Sequence, residues 1–298
     1  MDRKERYHWD LTGFLVARNV LSKDELKAAN DALDHYADQI QPGRPGPENP
    51  ELKGTGRLGL RSTNVLQFEK PYCDPFRNML AHPQIVSRLK VMCGRGFRLD
   101  HGPQFIGAVK GTQGGHQHGS GEPSKDGVRY HHHGGRSFVG GVTVTWNLMD
   151  ADPGMGGFGC VRGSHKSKYR MPLGVRNLSD HLGAVAQVPM KAGDVLFFMD
   201  GAQTHGTLPW HHDHQRRTIL FKFAGRCSSR TGPARQVAPP ETYWDGEAES
   251  MSPEQSAVMW GPYANFGDEI PMLDVTEDGY VEITNREGHK SRSAEAMR

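Results

Sequence analysis

The chain has 298 residues, with 36 Lys and Arg against 34 Asp and Glu and a formal net charge of +2 when histidine is neutral. So even a balance leaves no electrostatic footprint for nucleic acid or a membrane surface, and it directs attention to a small-molecule substrate or a protein partner. No apolar run reaches the ~18 residues of a spanning helix, the polar start Met1-Asp-Arg-Lys-Glu-Arg6 lacks the apolar core of a signal peptide, and four cysteines without CxxC spacing suit reduced thiols, so a cytoplasmic setting is expected.

In chain order, 14–20 reads as a first strand. Ser22-Lys-Asp-Glu25 is a capping box, in which hydroxyl and carboxylate satisfy N–H groups at a helix start, and Leu26, Ala29, Leu33 and Ala37 follow at helical spacing. The pattern predicts a helix over 23–39. Prolines and glycines between 42 and 56 mark a surface loop, and a second helix is expected over 83–93 with Gly94 as its stop. From Phe97 onward the character changes to short strand-like runs bounded by Gly, Pro or Asp: 97–99, 104–106, 142–148, 158–161, 185–188, 195–199 and 218–223. Ser252-Pro-Glu-Gln255 is another N-cap with proline at the first helical position, and the polar stretch 285–298 reads as a mobile tail. With 37 Gly and 19 Pro, many short strands after two helices predict a mainly β two-sheet jelly roll with helices packed outside. No repeat or linker divides the chain, so one domain is expected over 1–298, with a core over 10–230 and a C-terminal extension over 231–284.

The strand and helix near the N-terminus, Val142–Asp150, the run Pro153-Gly-Met-Gly-Gly-Phe-Gly-Cys-Val-Arg-Gly-Ser-His-Lys166, Ala192-Gly-Asp-Val195, His205-Gly206 and Arg216-Arg217 together resemble the phytanoyl-CoA dioxygenase family over roughly residues 10–230. The resemblance implies a double-stranded β-helix and two cofactors. Fe(II) would be held by a His-x-Asp pair and a distant histidine, and 2-oxoglutarate by the iron and a basic residue. Carried onto this chain it implies His205 as the distal ligand and Arg216 as the 2-oxoglutarate clamp. The chemistry agrees, since a neutral imidazole suits ferrous iron and a guanidinium fork suits a carboxylate. Arg217, next in a strand, must face the opposite side.

The family's His-x-Asp is absent. Candidates in its place are His116-Gln-His118, His118-Gly-Ser120 and the triple His131-His132-His133. The spacing 205 − 118 = 87 favours His118, with Ser120 in the carboxylate slot. With His116 as the proximal ligand, His118 fills that slot and the centre has three histidines. Glu122 or Asp126 of the same loop could also swing in. His131–His133 read as loop or hairpin, and His211, His212 and His214 as solvated. Arg162 stands where the family has proline. Ser164, His165 and Lys166 read as a structural turn, and Trp146 and Tyr130 either as core or as lining of the cosubstrate pocket. The expectation is an Fe(II)- and 2-oxoglutarate-dependent hydroxylase of an unidentified small molecule. A halogenase follows as the alternative if the small residue in the slot makes room for halide, and a non-catalytic binding barrel if the metal has been lost.

Overall fold

The computed structural model describes residues 1–42, 60–63, 65–119, 129–226, 228, 239–262 and 270–284. The chain begins with α1 (Arg3–Thr12), β1 (Phe14–Ala17) and α2 (Lys23–His35), followed by β2 (Gln41–Pro42), β3 (Leu60–Thr63), α3 (Asp74–Leu80) and α4 (Pro83–Met92). It continues through β4 (Arg98–Ala108), β5 (Tyr130–His133), β6 (Arg136–Val139), β7 (Val142–Asn147), β8 (Gly157–Val161), α5 (Leu173–Arg176) and β9 (Val185–Gln187). The remaining elements are β10 (Val195–Met199), β11 (His205–Leu208), β12 (Arg216–Ala224), α6 (Pro240–Tyr243), α7 (Pro253–Ala257), β13 (Met272–Val275) and β14 (Val281–Thr284).

The expected capping boxes form. The Ser22 hydroxyl accepts from the Glu25 N–H while the Glu25 carboxylate accepts from the Ser22 N–H, and Ser252 and Gln255 repeat the exchange at α7. The expected first helix ends earlier than position 39, because a 3-10 turn over Ala37–Gln39 takes up its last residues. α1 was not anticipated. Asp2 and Glu5 close a capping box of the same kind, and Gly13, at φ 84°, ends the helix in the left-handed conformation that favours glycine. The runs 97–99 and 104–106 belong to one long strand, β4. Its ladder with β12 absorbs Gly102-Pro103 by register shifts between Leu220, Lys222 and Phe223. The expected mobile tail and the proline-rich stretch after Pro42 lie outside the described residues, as does Cys227; Cys73, Cys93 and Cys160 are free thiols.

Two sheets face each other. The larger has the order β1-β10-β7-β12-β4-β3-β2, and every pairing in it is antiparallel. The smaller has the order β11-β8-β9. An extended segment over 111–118 runs along the free side of β11, with the Gly115 N–H on the Thr207 carbonyl at 2.8 Å and the Trp210 N–H on that of Thr112 at 3.0 Å. This is the double-stranded β-helix.

Strand alternation divides the burial. Val142, Val144 and Trp146 of β7, Val195, Phe197 and Met199 of β10, and Ile219, Phe221 and Phe223 of β12 face outward, into one apolar cluster that also holds Ala29 and Leu33 of α2, Phe76 and Leu80 of α3, and Ile85 and Leu89 of α4. Trp146 is therefore core, and not the lining of a cosubstrate pocket. The inward residues are different. Leu196 and Phe198 join Phe14, Phe158, Cys160, Val188 and Met190 in a second, smaller cluster, while Thr143, Thr145, Arg216, Thr218 and Lys222 make most of the remaining inner face polar, with Ile106 and Leu220 among them. Among the described residues no helix is long and apolar enough to cross a membrane.

Candidate active site

His118 and His205 meet at one end of the smaller sheet. Each donates its peptide N–H to the other's carbonyl at 2.9 Å, an antiparallel bridge that puts both imidazoles on the same side of the sheet. Their ring centroids are 4.2 Å apart. The sequence around them permits this approach because it is glycine-rich. A Cβ at Gly119, where φ is +89°, would lie 2.2 Å from the Gln203 carbonyl oxygen, and one at Gly206 would lie 2.4 Å from Gln117 Nε2. The His205 Nδ1 sits 2.8 Å from the Gln203 carbonyl oxygen. A carbonyl can only accept, so Nδ1 carries the proton and Nε2 keeps its lone pair for a metal or a donor. Phe198 packs 4.5 Å from the His205 ring, and Phe158 lies at 6.0 Å.

A cavity of about 180 Å³ opens beside this pair. His118 and His205 line it, with Phe158 and Phe198, and across it the inner face of the larger sheet presents Gln104, Thr145 and Arg216. His116 is not part of the lining, and its ring centroid stands 5.8 Å from that of His118. Ser120, Glu122 and Asp126 lie outside the described residues. Among the described residues, no three histidine, cysteine or carboxylate side chains converge closely enough to hold a metal ion.

Arg216 opens β12 opposite Ala108 and points inward, whereas Arg217 points outward and pairs with Asp34 of α2 at 2.5 Å. The Arg216 side chain is buried, and its Nη1 has no hydrogen-bond partner among the described residues. Burial alone pushes the guanidinium down to about 10, so it stays protonated at neutral pH. The hydroxyls of Thr218, two residues along the same inward row, and of Thr145 on the adjacent strand are also buried without a partner. An uncompensated cation in a cavity wall is a seat for a carboxylate. Neither threonine stands out in the sequence, since alternating threonines are ordinary strand residues; the pairing of β7 with β12 sets Thr145 opposite Leu220 and Thr218 opposite Asn147.

The other singled-out residues have structural places. Tyr130 lines a separate cavity with Met1, Arg6, Trp9 and Asp10 and donates its hydroxyl hydrogen to Asp10, so it is not part of this pocket. His131–His133 form the exposed strand β5 of a hairpin. His165 sits on a 3-10 turn with Nε2 2.9 Å from the Asp10 carbonyl oxygen. His212 Nε2 accepts the Asp152 N–H at 3.1 Å, and His214 Nε2 lies 2.9 Å from the Asp150 carbonyl oxygen, so neither is simply solvated. Asp194 of the Ala-Gly-Asp run is buried and structural, holding the Arg18 guanidinium at 2.7 Å and the Asn19 N–H at 2.9 Å. Cys160, facing His205 across β8 and β11, has its thiol pushed up to about 12 by burial, which makes it a packing residue and not a nucleophile.

The family model of phytanoyl-CoA dioxygenase (PhyH) matches residues 9–218, a stretch that takes in the first strand, both sheets and Arg216. The chain belongs to the phytanoyl-CoA dioxygenase family. No curated protein matches it. Among solved structures it is similar to HygX from Streptomyces hygroscopicus with nickel, 2-oxoglutarate and hygromycin B bound, at 18% identity and a TM-score of 0.59 over 76% of this chain and 88% of that one. It is also similar to AviO1 from Streptomyces viridochromogenes Tue57, at 20% identity and a TM-score of 0.55 over 80% of this chain and 98% of that one. At these identities the likeness is one of fold. Membership in the family makes the protein an enzyme of the dioxygenase type, and the cofactors this resemblance implies are iron and 2-oxoglutarate. The chemistry of the cavity fits both: imidazole nitrogen for the metal, and a buried, uncompensated guanidinium for the keto acid.

Proposed function

We propose that the protein is an Fe(II)- and 2-oxoglutarate-dependent hydroxylase of a small molecule. The observation that carries this reading is the buried Arg216 guanidinium, without a partner on Nη1, in the same cavity as the His118–His205 pair. His118 and His205 would hold the iron through imidazole nitrogen, with the third protein position falling on the segment that begins at Ser120, and Arg216 would take the distal carboxylate of 2-oxoglutarate. When bound, the iron and keto acid supply oxygen activation coupled to decarboxylation. The chain's own contribution is placement. The Arg216 fork would fix one end of the cosubstrate bidentately. Phe158 and Phe198 wall the histidine pair and exclude competing water. A small-molecule substrate accords with the solved neighbour that holds hygromycin B.

Anaerobic addition of Fe(II) and 2-oxoglutarate is expected to produce the weak visible charge-transfer band of a chelated keto acid, and oxygen to yield succinate. Arg216→Ala should lose the band. A wild-type protein with neither band nor succinate overturns the reading. No carboxylate joins the two histidines among the described residues, which favours halogenation as the second reading. Product masses in chloride buffer separate the two, since hydroxylation adds one oxygen and halogenation exchanges a hydrogen for chlorine.

A further inference from the structure

The cavity contains a second polar group that the cosubstrate does not use. Thr143 donates its hydroxyl hydrogen to Asp200 Oδ2 at 2.8 Å, and Lys222 Nζ stands 3.2 Å from the same oxygen. All three residues line the cavity, and they come from three successive strands: Asp200 directly after β10, Thr143 on β7 and Lys222 on β12. Asp200 is buried, while the Lys222 side chain keeps 30% exposure.

Their position follows from the register. Lys222 lies opposite Thr143, which lies opposite Phe198 at the end of β10, and only Gly201–Thr204 separate Asp200 from His205. The group therefore occupies the end of the larger sheet from which the chain crosses to the histidine pair. Arg216 lies six residues back along the same inward row of β12, roughly 20 Å away at 3.3 Å per residue. A cosubstrate reaching from the histidines toward Arg216 leaves the Lys222 end for the substrate.

We infer that Asp200 and Lys222, braced by Thr143, are the substrate-orienting residues of this site and that they select a neutral polyol, a molecule carrying neighbouring hydroxyl groups. This rests on the proposed function. Opposite charges 3.2 Å apart neutralise one another, so the group offers no net attraction to an anion or a cation. What it offers is a carboxylate acceptor beside an ammonium with three N–H donors, and a hydroxyl group both donates and accepts. The Gln104 amide, which lines the same cavity, adds another donor and acceptor. A purely structural role explains the placement poorly, because an ion pair taken from water contributes little net stability compared with apolar packing, and the outward neighbours Val142, Val144, Phe197, Phe221 and Phe223 on these same strands are apolar.

The test uses three six-membered-ring probes, myo-inositol, cyclohexylamine and cyclohexanecarboxylate, titrated calorimetrically into the anaerobic protein loaded with Fe(II) and 2-oxoglutarate. Myo-inositol is expected to bind best of the three. Asp200→Asn and Lys222→Met should each weaken it at least tenfold while the visible charge-transfer band persists, which also shows that each variant is folded. The inference is overturned if the carboxylate or the amine binds better, if either variant binds myo-inositol like wild type, if no probe binds at tens of millimolar, or if either variant loses the band. Absence of the band in wild type overturns the function reading itself, whereas a normal band without probe discrimination overturns only this inference.

Discussion

A guanidinium sealed inside a barrel without a counter-charge works against folding until an anion arrives. Burial lowers the Arg216 value to about 10, so at neutral pH the side chain is charged in both folded and unfolded chains and the folded state carries the whole penalty. The sign is that of a depressed cation: above about 10 the unfolded chain binds the extra proton, so the penalty is complete below that value and fades as pH rises through it. Arg216→Met is accordingly expected to raise the stability of the cofactor-free protein by about 1–3 kcal/mol in urea denaturation, because it removes a buried charge. The same variant should abolish the rise in melting temperature that 2-oxoglutarate gives wild type. A variant less stable than wild type would show that Arg216 already has a compensating partner.

At the scale of the element, the site depends on the segment over 111–119 lying flat along β11. Gly119→Ala requires a non-glycine residue at φ +89° with its Cβ 2.2 Å from a backbone oxygen, so the segment must peel away and carry His118 with it. We expect at least a tenfold loss of Co(II) or Fe(II) affinity by equilibrium dialysis with the circular dichroism spectrum unchanged, since the larger sheet does not include this segment. The elements most legible in the sequence were those with punctuation. Ser22 and Glu25 announced α2, and Pro83 announced α4. α1 has the same capping box but was overlooked because its apolar positions are sparse, with Tyr7 and Leu11 exposed and only Trp9 and Thr12 buried. In the site, His205 and Arg216 were singled out by the family resemblance, with which the chemistry of imidazole and guanidinium agrees. Thr143, Asp200 and Lys222 were not, because their contact arises from cross-strand neighbours distant in sequence. Spacing favoured His118 over His116, and of the two His118 is the one that lines the cavity.

At the scale of the whole molecule, the C-terminal part closes over the far end of β4. Val258 accepts the Leu99 N–H at 2.7 Å, Tyr243 lies under the Arg98 guanidinium at 5.8 Å, and Arg77 donates to the Glu249 carbonyl at 3.0 Å. Beneath this cover Arg98 and Asp100, both fully buried, pair at 2.6 Å. Asp100→Ala leaves a buried guanidinium uncompensated and is expected to cost about 3–5 kcal/mol, whereas the double change Arg98→Met with Asp100→Leu should recover most of it. Urea titration of the three proteins checks both values. A double variant no more stable than the single one would show that the hydrogen bonds from Arg98 to the Leu99 and Ser228 carbonyls, and not the ion pair, hold this corner.

The reciprocal peptide bonds between His118 and His205 also set a time limit. The two groups that present the imidazoles are the two that close the strand pair, so the end of the sheet cannot fray without separating the rings. Once these strands open, a metal held as proposed would lose both histidines together. Local unfolding of this one bridge would then be an escape route of its own, making the lifetime of a loaded site a property of backbone pairing as much as of coordination.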